Sequence, residues 1–218
     1  MFDDFKKLEV DLLIGSTLVE GSTLTDEEAR EVLAGRTVSG HPVHEIRELV
    51  SYRRAVEWLG RQLEAAPYLS HDLVENFHRV LMSGEPDAGH YKTHENYTMR
   101  LDGKRHSFVA PEHVREALDA WLLLFNTPPA HRGFEALLEQ AARLYCGFEN
   151  IHPFADGNGR IGRVFLAYWL YRHGGLRLRF YVKDKRAHLE VLLAANDGNL
   201  GLLVDFLRQG VEPPDEST

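Results

Sequence analysis

The sequence has little cysteine, no long apolar run and no excess of positive charge, and each shortage excludes a class of protein. Cys146 is the only cysteine among 218 residues, so an internal disulfide and a cysteine-based zinc site are both excluded. A single thiol is typical of a reducing compartment, and we therefore expect a cytoplasmic protein. The longest apolar runs, such as residues 121–125, are far too short to span a bilayer, and we see no signal peptide, so no membrane partner is expected.

The charge balance argues against a nucleic-acid-binding protein. Lys and Arg number 25 against 33 Asp and Glu, a formal charge of −8, whereas a protein that binds a phosphate backbone is normally basic over one face. With 44% hydrophobic and 27% charged residues, the chain has the composition of a folded domain. One local basic cluster is explained equally well by a solvated surface and by DNA binding; it comprises Arg177, Arg179, Lys183, Lys185 and Arg186.

Apolar residues recur at helical spacing along most of the chain, which predicts a mainly α fold. Thr25 begins a capping box, Ser70 can cap a second helix, and Pro111 fits the first position of a third. The predicted helices lie at about residues 8–21, 25–35, 45–66, 70–84, 111–125, 134–150, 160–173, 186–196 and 200–209.

One β-hairpin interrupts this helical pattern. Asp102-Gly103 between two strand-prone runs predicts a hairpin from about Asn96 to Val109. No further strand is expected after it. The polar C-terminal residues 211–218 are predicted to form a flexible tail.

A short stretch near residue 155 carries most of the chemistry. Gly157-Asn158-Gly159 is a loop with little side-chain bulk directly before a helix, an arrangement that turns backbone N–H groups toward an anion such as phosphate. Arg160 and Arg163 lie one helical turn apart, so they share a face, and Arg is suited to bidentate phosphate contacts. Together these residues predict a polyphosphate site.

Two further residues of the same stretch suggest a reaction. Asp156 is a carboxylate beside cationic groups, and Mg²⁺ typically takes one or two carboxylates together with phosphate oxygens. His152 stands at the start of the loop as the obvious proton acceptor. Each part alone is common in structural loops, but their combination favours in-line transfer at a phosphorus centre.

The stretch from His152 to Arg163 reads HPFADGNGRIGR and resembles the signature of the Fic family, HPFxxGNGRxxR, at every fixed position. The segment EGSTLT, which begins at Glu20, is similar to the EGNTLT segment of self-inhibited Fic proteins, with Ser22 in place of Asn. The resemblance extends over about residues 10–208. It implies a Fic-fold helical bundle with one β-hairpin flap, divided into an N-terminal inhibitory region (1–36), a catalytic core (37–210) and the tail (211–218).

The resemblance also implies an activity, that of a protein adenylyltransferase that moves AMP from ATP to a Ser, Thr or Tyr hydroxyl with Mg²⁺. His152 would take the proton from the hydroxyl, and Phe154 would be a buried anchor for the loop. Relatives often have Tyr at the position of Leu189, which leaves the adenine contacts open. The remaining roles are Asp156 for the metal, Gly157, Asn158 and Gly159 for the anion nest, Arg160 and Arg163 for the outer phosphates, and Asn196 for the nucleoside.

Self-inhibition and target binding are implied in the same way. Ser16 and Glu20 fit the pattern [S/T]xxxE[G/N] of the inhibitory helix, in which Glu20 would pair with Arg163 and keep the γ-phosphate away, while Ser16 would help fix the helix. The predicted hairpin falls where the family holds a target segment by main-chain pairing.

Several alternatives stay open at this point. Glu20 and His152 could instead support removal of AMP from a modified target, and donors such as UTP or CDP-choline are a lesser possibility. A nucleotide-binding interaction module without turnover is a different class, although binding alone needs no base such as His152. Self-modification and homo-oligomer formation are also left open.

Overall fold

The computed structural model describes residues 2–179 and 185–212. Over these residues the chain forms nine α-helices and two small antiparallel sheets. The helices are α1 (Phe2–Glu20), α2 (Asp26–Leu33), α3 (Val43–Ala65), α4 (His71–Leu81), α5 (Val114–Asn126), α6 (Phe134–Ile151), α7 (Asn158–Gly174), α8 (Lys185–Asn196) and α9 (Leu200–Gly210). The strands are β1 (Tyr97–Met99), β2 (Arg105–Ser107), β3 (Arg177–Leu178) and β4 (Val211–Glu212). The mainly α fold predicted from the sequence is confirmed.

The predicted capping residues begin their helices. Thr25 Oγ1 accepts a hydrogen bond from the Glu28 N–H at 3.2 Å, and the Glu28 carboxylate accepts one from the Thr25 N–H at 2.9 Å, which completes the capping box of α2. Ser70 Oγ accepts from the Leu73 N–H at 3.2 Å at the start of α4. Pro111 opens a short 3₁₀ turn that leads into α5.

The predicted hairpin is present, but the expectation of no further strand was wrong. β1 pairs with β2 in antiparallel register, with Tyr97 opposite Ser107. β3 also pairs with β4, with Leu178 opposite Val211, so residues 211 and 212, which were predicted as part of the tail, form a strand. Two-residue strands are too short for an alternating pattern, and their pairing is a long-range contact that local sequence does not carry. Residues 213–218 and Lys183 of the basic cluster lie outside the described residues.

Helices α6 and α7 form the centre of the described structure. α6 packs against α5, α7, α8 and α9, while α1 packs across α3 and α7. α7 is buried on nearly all sides, and Ile161, Phe165 and Trp169 are among its buried residues. The residues that join α6 to α7 are therefore held between two buried helices. Among the described residues, no helix is long and apolar enough to cross a membrane.

Candidate active site

The loop of residues 152–157, called here the α6–α7 loop, has a fixed backbone shape. His152 ends α6 in the left-handed region with φ 49°, and Gly157 begins α7 with φ 79°, where a residue without a Cβ is favoured. The Asn158 side chain closes the loop, because its Oδ1 accepts from the Phe154 N–H and its Nδ2 donates to the Phe154 carbonyl, both at 2.9 Å. Phe154 is fully buried, as its predicted role as an anchor requires.

His152 has a neutral imidazole with a defined tautomer. Its Nδ1 lies 3.2 Å from the carbonyl oxygen of Glu149. A carbonyl only accepts, so Nδ1 carries the proton and Nε2 is left with a lone pair. The ring stacks on Phe108, with 3.9 Å between ring centroids and an angle of 6° between planes. Burial lowers the pKa of His152 to about 4, so the imidazole is neutral at physiological pH.

The first turn of α7 offers backbone donors to the cleft. The N–H groups of Asn158, Gly159 and Arg160 precede the first intrahelical hydrogen bond, and no side chain caps this end. A Cβ on Gly159 would lie 2.9 Å from both Glu20 Oε1 and Arg163 Nη1, so only glycine lets these groups come so close to the backbone. This end of α7 is suited to an anion.

Arg163 is buried and joined to helix α1. Its Nε donates to Ser16 Oγ at 2.6 Å, and its Nη2 donates to Glu20 Oε1 at 2.5 Å. Burial alone would lower the pKa of Arg163, but Tyr145 and Glu20 raise it above its ordinary value, so the guanidinium stays charged. Ser16 thus contacts Arg163 directly, in addition to its position on the helix. In this structure Arg163 is committed to α1.

Arg160 lines the same cleft but is also committed to protein groups. Its Nη1 donates to Glu48 Oε1 of α3 at 2.5 Å, and its Nη2 lies 3.5 Å from Asp156 Oδ2. Arg160 can therefore contact a phosphate only when the Glu48 carboxylate shares or releases its guanidinium. The role predicted for Arg160 at the outer phosphates stays a prediction.

Asp156 presents a solvent-facing carboxylate. Its Oδ1 accepts from the Gly157 N–H at 2.6 Å, and its side chain is 78% exposed. Among the residues that the structure describes, no cluster of three or more His, Cys, Asp or Glu could hold a metal. One accessible carboxylate fits Mg²⁺ that is bound mainly through substrate phosphates and water, rather than a resident metal.

The hairpin is fastened to the α6–α7 loop at one end and to the last turn of α6 at the other. At the β1 end, Asn96 Nδ2 donates to the carbonyl of Phe154 at 3.1 Å. At the β2 end, the Val109 N–H donates to the carbonyl of Asn150 at 3.2 Å, next to Phe108. The hairpin therefore forms one side of the site and carries the ring that stacks on His152.

A cleft of about 300 Å³ gathers most of the predicted residues. Ser16 lies outside its wall, behind Arg163, and Leu189 lies within it. Asn196 ends α8, and its Oδ1 accepts from the Cys146 thiol at 3.1 Å. The lining includes Glu20, Tyr97, Thr98, Phe108, Glu149, His152, Asp156, Gly157, Asn158, Gly159, Arg160, Arg163, His188, Leu189, Leu192, Leu193 and Asn196.

Three residues of this region were missed by the sequence analysis. Glu149 is buried in the cleft wall, its Oε1 has no hydrogen-bond partner among the described residues, and burial raises its pKa to about 7. Tyr52 of α3 donates to the carbonyl of Arg160 at 2.9 Å and lies 3.1 Å from Ser16 Oγ. His188 Nε2 lies 3.0 Å from the Tyr145 hydroxyl. Of these three, Tyr52 had a signal in the sequence, because it places a polar-tipped side chain on the apolar face of a predicted helix.

Residues 68–170 match the model of the Fic/DOC family. The chain contains a Fic domain. The matched region of this Fic domain includes the hairpin, α6, the α6–α7 loop and most of α7. Helix α1 with Glu20 and helix α8 with Asn196 lie outside the matched region.

Curated relatives and solved structures agree with this assignment. The chain is 26% identical over 204 residues to the protein adenylyltransferase Fic of Nematostella vectensis. The aligned region covers 90% of this chain and 45% of that protein. It is 28% identical over 202 residues to the protein adenylyltransferase fic-1 of Caenorhabditis elegans. That aligned region covers 89% of this chain and 38% of the relative. The chain thus spans less than half the length of these relatives.

The fold comparison covers almost the whole chain. A Fic-domain-containing signalling protein from Bacteroides thetaiotaomicron has a TM-score of 0.80 to this structure at 22% identity, over 95% of this chain and 82% of that one. The prediction of a Fic-fold helical bundle is confirmed.

Proposed function

We propose that the Fic domain of this protein transfers AMP from ATP to a hydroxyl side chain (Ser, Thr or Tyr) of a target protein. The observation that carries the proposal is the neutral, tautomer-fixed imidazole of His152 in the same cleft as the uncapped N-terminus of α7. A base and an anion site in one cleft are what transfer at phosphorus requires. Both curated relatives described above bear the name protein adenylyltransferase.

In the proposed reaction, His152 Nε2 accepts the proton of the target hydroxyl. The oxygen attacks the α-phosphorus of ATP, the bond to the β-phosphate oxygen breaks, and pyrophosphate leaves. The N–H groups of Asn158, Gly159 and Arg160 stabilise charge on the phosphate oxygens. We keep the prediction that Arg160 and Arg163 hold the outer phosphates, which requires each to leave its present carboxylate partner.

Asp156 is the residue proposed to hold Mg²⁺ together with the ATP phosphates. Its exposed carboxylate fits an ion that arrives with the nucleotide. When bound, the ion would neutralise phosphate charge. Leu189, Leu192 and Asn196 of α8 are proposed to contact the nucleoside, since all three line the cleft.

We further propose that Glu20 inhibits the reaction. Its carboxylate occupies Arg163 at 2.5 Å and lies beside Gly159, in the space where the phosphates are proposed to bind. A charge-assisted hydrogen bond of this kind contributes about 1.5–3 kcal/mol, enough to reduce productive ATP binding roughly tenfold or more. The inhibitory function of this contact is a proposal from the geometry.

The target segment is proposed to pair with the hairpin, whose residues Tyr97, Thr98 and Phe108 line the cleft.

A second candidate reaction is removal of AMP from a modified target. It is favoured by one observation, the Glu20 carboxylate, which lines the same cleft as His152 and is 29% exposed. The cytoplasmic location stays a prediction.

The test is labelling by ATP carrying ³²P at the α-phosphate. We expect Glu20→Gly to increase incorporation into protein at least several-fold over wild type, and Glu20→Gly with His152→Ala to lose incorporation while still binding ATP in calorimetry. His131→Ala in the Glu20→Gly form is the matched control, because His131 is exposed and is not one of the residues that line the cleft. Equal incorporation with and without His152 would overturn its role as the base.

A Glu20→Gly form that fails to remove AMP from a target that wild type demodifies would support the second reaction.

A further inference from the structure

The tip of the β1–β2 hairpin is joined to the C-terminal end of α8. Arg100 forms a bidentate pair with Asp197, with Nη1 to Oδ2 at 2.6 Å and Nη2 to Oδ1 at 2.9 Å. The Leu101 N–H also donates to Glu190 Oε1 at 3.1 Å. We call these contacts the hairpin–α8 bridge. They connect residues nearly one hundred positions apart in the sequence, and they connect two elements that both line the cleft.

The bridge joins the hairpin to the end of α8, and both elements contribute side chains to the cleft. On one wall the hairpin contributes Thr98 and Phe108, and on the other α8 contributes Leu189, Leu192 and Asn196. Asp197 directly follows Asn196. Because the bridge ties these two walls together, its opening would widen the space between them.

The chemistry of the bridge suits an element that opens and closes. The two parallel hydrogen bonds give the pair a defined geometry. Both side chains are nevertheless partly exposed, at 23% for Arg100 and 58% for Asp197, so water and salt compete with the contact. The hydrogen bond from Arg100 lowers the pKa of Asp197, so the carboxylate stays charged through the neutral range.

We propose that the hairpin–α8 bridge controls the exit of nucleotide from the cleft, so that Arg100 and Asp197 determine how long a nucleoside triphosphate stays bound. This inference rests on the proposed function, since it takes a nucleotide as the ligand of the cleft. It assigns to the hairpin a second task, distinct from its proposed contact with the target protein.

The experiment measures dissociation of the fluorescent nucleotide mant-ATP by stopped flow, with the full chain carrying Glu20→Gly as the parent. We expect Arg100→Ala and Asp197→Ala each to raise the dissociation rate about three- to fivefold. The charge-reversed pair Arg100→Asp with Asp197→Arg should restore most of the parent rate. Added NaCl should raise the dissociation rate of the parent and have a smaller effect in Arg100→Ala.

Lys104→Ala is the matched control, because Lys104 is a cation of the same hairpin tip whose partner is Asp102 within the turn. Its dissociation rate should equal that of the parent. Parent-like rates in both Arg100→Ala and Asp197→Ala, with mant-ATP binding intact, would overturn the bridge proposal alone. A reversed pair that dissociates as fast as the single variants would also overturn it. Absence of mant-ATP binding to the parent would overturn the proposed function as well.

Discussion

The imidazole of His152 is half-buried between Phe108 and the end of α6, and this environment sets its proton chemistry. Burial lowers its pKa to about 4, from an ordinary value of 6.5. The neutral form should therefore persist down to about pH 5. We expect a histidine NMR titration of the full chain, assigned with His152→Ala, to place the midpoint of this residue near pH 4. A midpoint near 6.5 would contradict the half-buried, stacked geometry.

Glu149 gives a second prediction at this scale, in the pH dependence of stability. Its pKa is about 7 in the folded protein and 4.5 ordinarily, because burial disfavours its charged form. Below pH 4.5 both states are protonated and stability is unaffected. As pH rises from 4.5 to 7 the unfolded chain ionises first, so the folded protein loses stability, on the order of a few kcal/mol in total.

Glu149→Gln removes this ionisation without changing the shape of the side chain. We expect the variant to unfold at higher urea concentration than wild type at pH 8, and at nearly the same concentration at pH 4.5. Glu139→Gln on the exposed face of α6 is the control and should show no such pH-dependent gain. A gain for Glu149→Gln that is equal at both pH values would argue against a raised pKa.

The sequence predicted those site residues that lie together in the chain. His152, Asp156 and Arg163 could be interpreted because their chemistry is concentrated in one short window. Glu149 could not, since glutamate is common on helices and its carboxylate is enclosed only when α6 and α7 pack. Tyr52 stands out as a polar-tipped residue on an apolar helix face, but its partner Arg160 is identified only by the packing of α3 on α7. The sequence also could not show that Arg160 is committed to Glu48, since that contact spans distant elements.

Helix α1 is held against the site by two side chains one turn apart, Ser16 and Glu20, and both contact Arg163. Ser16→Ala removes the acceptor of the buried Nε–H, which costs about 1–3 kcal/mol when no partner replaces it. Because Glu20 remains, we expect Ser16→Ala to raise AMP incorporation above wild type but below Glu20→Gly, measured with labelled ATP.

Leu18→Ala is the control for that series, since Leu18 lies on the exposed side of α1. Its incorporation should match wild type. If Ser16→Ala also matches wild type, Glu20 alone holds Arg163 and the hydroxyl contributes nothing to inhibition.

Whole elements were predicted where their ends carry a local signal. Thr25 and Ser70 form the predicted caps, and Gly103 supplies the positive φ that the hairpin turn requires. The β3–β4 pair has no such signal, because Arg177 and Glu212 meet only after α8 and α9 have folded back. Local chemistry thus determines where elements begin and end, and tertiary packing determines which short segments pair.

In the described structure, α6 and α7 form a central pair, and their close approach depends on Gly162. A Cβ there would lie 2.4 Å from Glu149 Oε1 and 3.2 Å from both Phe148 and Tyr145. We therefore expect Gly162→Ala to destabilise the protein by about 1–3 kcal/mol through overpacking, measured by urea unfolding. Gly201→Ala in α9 should instead stabilise it by about 0.5–1 kcal/mol, since the new methyl group meets only Asn199 Oδ1 at 3.7 Å.

A double variant separates the possible clashes at Gly162. If the carboxylate of Glu149 is the group in the way, Glu149→Ala should recover most of the stability that Gly162→Ala loses, and the two effects should be strongly non-additive. Additive losses would mean that the aromatic rings of Phe148 and Tyr145 set the distance between α6 and α7. In that case the packing of the apolar core would set the distance between His152 at the end of α6 and Arg163 in α7. The Glu149 carboxylate would then have no part in setting that distance.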